Sequence, residues 1–252
     1  MNAMRKLLLR GGAALTALFV ASAFAQSDAA REARWRAEVE PNIVVGDAVT
    51  LNRKEGTDFF AIFTEGTQKD VAIVLVHGVG VNPDFGLIGR LRVLLADAGY
   101  ATLSIQMPVL AAEGATPEAY QTTFPDAGSR IARAHEWLSE RGYTKIALVS
   151  HSMGAWMSNV YLQSAARSPY TAWIAIGVTG RLLPLGANAL PVLDLYGEND
   201  LPSNLSKAWL RRIHLWLLPQ SKQVMIAKAD HYFAGYEKDV SAAIFAFLRA
   251  TM

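Results

Sequence analysis

The sequence predicts an α/β fold: a mostly parallel twisted sheet with helices on both faces and an antiparallel hairpin at its N-terminal edge. Three observations predict it. Strand-like and helix-like segments alternate from Val71 to the C-terminus, the order that builds a parallel sheet with helical crossovers. The stretch VAIVLVHG, Val71 to Gly78, is apolar at successive positions, as a strand must be when helices cover both its sides. Two β-type runs, Ile43–Leu51 and Phe59–Thr64, are joined by the turn-prone Asn52–Thr57, which predicts a hairpin before the parallel strands begin.

Each element follows in order. Residues 1–25 read as a secretory leader: Met1–Lys6 is short and basic, Gly11–Ser22 is small and apolar, and Ala23-Phe24-Ala25 is a small-x-small cleavage site before Gln26. An uncleaved anchor is the alternative, but Arg10 interrupts the apolar run and leaves too little after it to span a bilayer. Ser27–Val39 is polar and arginine-rich, a short helix or a loose entry segment. Phe85–Ala98 places Leu87, Leu91, Leu94 and Leu95 near helical spacing and stops at Gly99. Tyr100–Met107 is a strand. Val109–Gly128 is polar and aperiodic, longer than the usual connection; it reads either as a plain surface loop or as a pocket wall rimmed by Tyr120 and Phe124.

The alternation then resumes with helix Ser129–Glu140, strand Lys145–Val149, helix Met153–Ala166, and strands Trp173–Val178 and Val192–Tyr196. Helix Leu205–Leu217, strand Gln223–Ala227 and helix Val240–Ala250 complete the chain. Gly180–Leu190 is too short to hold a lid domain. Trp137, Trp156, Trp173, Trp209 and Trp216 are expected to pack helices on the sheet, with lining of an acyl pocket as the alternative for Trp156. Residues 26–252 are therefore expected to form one domain.

Composition narrows the chemistry. The chain has no cysteine, so thiol catalysis, disulfides and a cysteine-linked lipid anchor are excluded. Of 24 Lys and Arg against 22 Asp and Glu, Arg5, Lys6 and Arg10 lie in the leader, so the remaining domain is near neutral. That balance does not fit a nucleic-acid partner, which needs a basic face. His77, His151 and His231 lack the close-spaced histidine or carboxylate support of a metal site; neither a metal nor another cofactor is expected.

In open parallel sheets reactive groups collect at the carboxyl ends of the strands. Here those ends carry HGVG (His77–Gly80), SHSMG (Ser150–Gly154), GENDLP (Gly197–Pro202) and ADHYF (Ala229–Phe233). Ser152 falls on a tight strand-to-helix turn, where the positions two before and two after must be small; they are Ser150 and Gly154. A serine alcohol needs a base to take its proton, and His231 is the candidate. The imidazole needs an acid to fix its tautomer; Asp200 is well placed, with Glu198 and Asp194 as competitors. Backbone N–H groups of Val79 and Met153 are the candidate donors to an oxyanion. His77 and His151 flank this point and are expected to shape the loop and elbow, with lining of the pocket as their further role.

From about Val71 onward the chain resembles a compact α/β-hydrolase, on the motifs LVHG (Leu75–Gly78), HSMG (His151–Gly154), PVLDLYGEND (Pro191–Asp200) and DHYF (Asp230–Phe233). Asn82–Pro108 together with Pro191–Gly197 is similar to a proteobacterial branch of that superfamily whose function is not established. The resemblance implies the fold and gives Ser152, Asp200 and His231 the nucleophile, acid and base roles, in the chain order that superfamily uses. It implies no substrate. The departure is Ser150, where most members have glycine.

The expected function is an exported serine hydrolase, periplasmic or secreted by a Gram-negative bacterium, cleaving a small-molecule ester through an acyl-enzyme. Amide and thioester hydrolysis share the same chemistry. The alternative is a binding protein of the cell envelope that keeps the fold without turnover. After removal of the leader no stable membrane insertion is expected, and oligomeric state is not legible in the sequence.

Overall fold

The computed structural model describes residues 27–111, 115–164, 167–180, 185 and 190–252. The leader assigned to residues 1–25 lies outside them, as do parts of the 109–128 and 180–190 connections and the end of the helix drawn to Ala166.

Among the described residues eight strands form one sheet in the order β1-β2-β4-β3-β5-β6-β7-β8. β1 (Asp47–Leu51) and β2 (Phe59–Thr64) make the expected hairpin, and β2 also lies antiparallel to β4 (Ala101–Ile105). β3 (Val71–Val76), β5 (Lys145–His151), β6 (Ala172–Ile176), β7 (Val192–Asn199) and β8 (Lys222–Asp230) complete the sheet, and β4 through β8 are paired in parallel. From β3 the chain crosses to β4 on one side, then returns to place β5 on the other. That reversal opens a crevice beyond the carboxyl ends of β3 and β5.

The double-sided burial of β3 is visible residue by residue. Val71, Ile73 and Leu75 pack in one core layer with side chains of α2 (Gly86–Asp97) and α7 (Glu237–Thr251). Ala72, Val74 and Val76 alternate into the opposite layer with α3 (Phe124–Ser139) and α4 (Met153–Ser164). The period of two along the strand thus divides one apolar run between two cores.

Four local differences from the sequence reading have physical causes. β1 starts at Asp47, not Ile43, because Gly46 turns the chain at φ 86, where an added Cβ would meet Phe63 O at 2.5 Å. The connection read as aperiodic contains a 3-10 turn, Ala119–Thr123, running straight into α3. Pro125 sits in the first turn of α3, where its missing N–H costs nothing.

The helix read as Leu205–Leu217 is two: α5 (Pro202–Leu205) and α6 (Ala208–Trp216). The Asn204 carbonyl, which would continue the helix by accepting from residue 208, instead accepts from Lys207 N–H at 3.2 Å and the Arg211 guanidinium at 2.9 Å. Finally, Trp137 and Trp173 are buried as expected, but Trp209 is 65% exposed and Trp216 88%. Those two do not pack on the sheet.

The polar segment after residue 27 is α1 (Ala29–Val39), capped by Asp28 through its bond to Arg31 N–H at 2.9 Å. α1 is fastened over the carboxyl ends of the strands. Arg31 donates to Gly80 O at 3.1 Å and Leu110 O at 2.8 Å. Glu32 pairs with the buried Arg130 at 2.8 Å, and Arg130 also donates to Gln106 O at 3.0 Å. A single short helix therefore ties down the loops that follow β3 and β4.

Candidate active site

Ser152 stands alone between β5 and α4 with φ 57. A left-handed conformation costs a non-glycine residue on the order of 1–3 kcal/mol and persists only where its surroundings hold it. Here the Ser152 N–H donates to Ile176 O at 2.9 Å, and its carbonyl accepts from Ala155 and Trp156 N–H at 3.0 and 3.3 Å. The flanks leave no room for larger residues. A Cβ on Gly154 would lie 2.3 Å from His77 O and 2.7 Å from Val76 Cγ1. Ser150 is fully buried, and its Oγ accepts from the Trp173 indole N–H at 2.8 Å. The serine at this position is thus held in a specific bond as well as being small.

Ser152 Oγ lies 2.9 Å from His231 Nε2, and His231 Nδ1 lies 2.7 Å from Asp200 Oδ1. All three residues are buried, Ser152 at 7% exposure and His231 at 5%. With Asp200 as the partner of Nδ1, the imidazole carries its proton there and offers Nε2 to the serine hydroxyl.

Asp200 follows β7 directly. Burial pushes its carboxyl up, but the bond and charge of His231, with further bonds from Leu201 N–H and the Asn204 amide, hold it below the usual carboxylate range. The two competing acids are engaged elsewhere. Glu198 accepts from Lys228 N–H at 2.8 Å. Asp194 is buried against Arg211 at 2.8 Å and accepts from Gln223 at 2.8 Å. Burial raises the Asp194 carboxyl while Arg211 lowers it.

Both flanking histidines hold backbone. The Met107 N–H donates to His77 Nε2 at 2.9 Å, which leaves Nδ1–H to donate to Gly78 O at 2.8 Å. His151 Nε2 donates to His231 O at 2.9 Å and so fixes the loop that carries the proposed base. Burial is the main cause that lowers each to about 4; both are neutral at pH 7. Among the described residues no group of three His, Cys, Asp or Glu is clustered to hold a metal ion.

A cavity of about 770 Å³ opens onto Ser152 and His231, within the range that holds one small organic ligand. Val79 and Met153 line it, as do His77 and His151. Met153 opens α4, so its N–H has no intrahelical acceptor. Gly78, next to Val79, is close enough that an added Cβ would sit 3.3 Å from Ser152 Cβ. Farther out the wall is mainly apolar, with Val44, Phe85, Leu87, Leu201 and Tyr232.

The other three proposed pocket residues lie elsewhere. Tyr120 is buried in the core, its hydroxyl accepting from Leu110 N–H at 3.2 Å. Phe124 and Trp156 line a separate cavity of about 680 Å³ that does not include Ser152. Their rings meet edge to face at 5.1 Å, and the Trp156 ring fills the space left by the missing Cβ of Gly180. A bulky ring that can bury itself against a neighbouring ring and a bare backbone does so, and this takes Trp156 away from the crevice.

Residues that the sequence reading missed complete the surroundings. Asn204 Nδ2 donates to Asp200 Oδ1 at 2.9 Å. Gly177, at φ 53, faces the His231 ring, where a Cβ would approach to 3.1 Å. Arg31 and Arg130 fasten the loops. Their partners are distant in sequence, so no local spacing signals them.

No protein-family model and no curated protein sequence matches the chain. Solved structures do. Est1E from Butyrivibrio proteoclasticus superposes with a TM-score of 0.63 at 15% identity, covering 82% of this chain and 98% of its own. The dienelactone hydrolase from Anabaena variabilis gives 0.64 at 20% identity, covering 82% and 98%. The Pyrococcus furiosus esterase Pf2001 gives 0.64 at 12% identity, covering 82% and 93%.

Proposed function

From the α/β-hydrolase fold of this chain, we propose that it is an exported serine hydrolase acting on small carboxylic esters through an acyl-enzyme. One observation carries the reading: the unbroken hydrogen-bond chain Ser152–His231–Asp200, at 2.9 and 2.7 Å, with the serine held at φ 57. A turn or cap serine does not need that strain, and a structural histidine does not need both partners. The fold neighbours, among them esterases and a dienelactone hydrolase, support the hydrolase class.

In this mechanism His231 Nε2 takes the proton of Ser152 as Oγ attacks the ester carbonyl carbon. Asp200, kept ionised, stabilises the imidazolium without itself taking a proton. The carbonyl oxygen becomes an oxyanion that accepts from the N–H groups of Val79 and Met153; one such donor is worth about 10²–10³ in rate. The imidazolium then protonates the departing alcohol, leaving the acyl group on Ser152. Water then gives a proton to His231 as its oxygen attacks the acyl carbon, and the imidazolium returns that proton to Ser152 Oγ as the acyl–Oγ bond breaks and the acid leaves. The volume and apolar wall of the cavity favour a small, weakly polar ester. The leader pattern of residues 1–25 supports export of this chemistry to the periplasm or outside the cell.

Labelling by a fluorophosphonate probe, alongside hydrolysis of short p-nitrophenyl esters, tests the proposal. The wild type is expected to label and to turn over. Ser152→Ala is expected not to label, and Asp200→Asn to lose about 10⁴ in kcat. A folded wild type that neither labels nor turns over would instead support a binding protein that retains the fold without catalysis.

A further inference from the structure

The exposed face of α6 carries an inference independent of the catalytic reading. Along this helix Arg211 and Leu215, one turn apart, are the buried positions. Arg211 is drawn in by Asp194, and Leu215 joins the core layer. A surface helix normally turns polar residues outward from such an anchor. α6 does the reverse. Trp209, Ile213 and Trp216 form an i, i+4, i+7 stripe on the side away from Arg211 and Leu215, with Leu210 and Leu217 beside it. All five are exposed, Trp216 at 88% and Leu217 at 78%. Met225, also exposed, continues the surface onto β8, and a groove between α6 and β8 is lined by Trp209, Ile213, Trp216 and Met225.

The segment that carries this face has charges of one sign. Leu201–Ala229 contains Lys207, Arg211, Arg212, Lys222 and Lys228 and no Asp or Glu, whereas the chain as a whole is nearly balanced. Apart from the buried Arg211, all are exposed. Arg212 and Lys222 are the charged residues that line the groove.

We propose that α6 and the adjoining edge of β8 dock on an anionic lipid surface. The apolar stripe enters the headgroup boundary, and Arg212 and Lys222 meet the phosphates. Exposed tryptophans suit that boundary because the ring is apolar and the indole N–H is polar. A cationic rim around an apolar helix face is the pattern of peripheral attachment, not of spanning; no described helix is long and apolar enough to cross a membrane. A second copy of the chain fits the face less well. A two-fold contact would set the same cationic rim against itself, and Lys222 and Lys228 on the open edge strand oppose strand-to-strand pairing. Phosphate headgroups supply the opposite charge that this surface lacks.

Vesicle flotation tests the proposal, using protein recovered from cells producing the full-length chain, with its N-terminus fixed by mass spectrometry. The wild type is expected to float with phosphatidylcholine vesicles containing phosphatidylglycerol. Binding should fall at least about tenfold on phosphatidylcholine alone or in high salt, where exposed charges are screened. Trp209→Ser combined with Trp216→Ser should abolish flotation. Arg212→Ser combined with Lys222→Ser should remove the preference for anionic lipid. These positions are exposed, and an unchanged thermal midpoint confirms that each variant folds. Flotation equal on neutral and anionic vesicles, or unaltered by the tryptophan substitutions, would overturn the proposal. A dimer in sedimentation that the tryptophan substitutions dissolve, without vesicle binding by the wild type, would overturn it in favour of self-association.

Discussion

The indole of Trp173 finds its acceptor at Ser150, two residues before the proposed nucleophile. That contact gives the departure from the G-x-S-x-G pattern a physical reason. The neighbouring strands β5 and β6 bury both side chains, and a buried N–H without an acceptor costs about 1–3 kcal/mol. Ser150→Ala keeps the position small enough for the elbow but orphans the indole. It is expected to lower stability by about that amount in urea unfolding while retaining fluorophosphonate labelling. Loss of labelling in a fully folded variant would mean that Ser150 orders the elbow itself. Gly154 belongs to a stricter case, because a Cβ there runs into the His77 carbonyl and no side-chain rotation relieves it.

Among the elements, α5 and α6 decide how the acid is presented. Asp200 leaves β7 directly, and its carboxylate is held by Asn204 from α5. The Asn204 carbonyl is held by Arg211 from α6, and Arg211 returns to Asp194 within β7. A strand, a short helix and a surface helix thus close a ring of buried polar contacts beside the crevice. Removing one partner of a buried ion pair leaves the other charge uncompensated, at about 3–5 kcal/mol. Arg211→Met is expected to destabilise the protein by that much. Adding Asp194→Asn should restore most of the loss, as measured by paired urea unfolding curves. If the double variant is no more stable than Arg211→Met, the pair does not carry the energy assigned to it.

At the scale of the whole molecule, two buried histidines couple stability to pH. His77 and His151 are each lowered to about 4, by burial first; Arg130 adds to the effect for His77 and His231 for His151. In the unfolded chain both return to about 6.5. Between these values the unfolded state binds more protons than the folded one, so stability rises with pH across the window. The contribution is complete above about 6.5 and is lost as pH falls toward about 4. The urea midpoint is expected to drop between pH 7.5 and pH 4.5 by the equivalent of about 2–3 kcal/mol for each histidine. A midpoint flat across that range would show that the histidines are not buried neutral. Asp200 contributes in a lower window: its carboxyl lies below its ordinary value of 3.8, so its stabilisation fades only as pH falls through and below that range.

The sequence by itself determined the sheet, its hairpin edge and the strand ends on which Ser152, Asp200 and His231 stand. Those features rest on periodicity, turn residues and short spacing, which a linear chain carries openly. What it left open was which of three carboxylates meets the histidine. Asp194, Glu198 and Asp200 lie within seven positions, and only the packing of α6 and β8 assigns Arg211 to the first and Lys228 N–H to the second. Burial of the aromatic residues was equally a tertiary decision. Trp156 turns into a second cavity because Phe124 and Gly180 receive it there, whereas Trp209 and Trp216 stay in solvent because Arg211 and Leu215 already fill the inner face of their helix. Ring size and hydrophobicity are written in the sequence; which side of an element faces a neighbour is settled only when the elements meet.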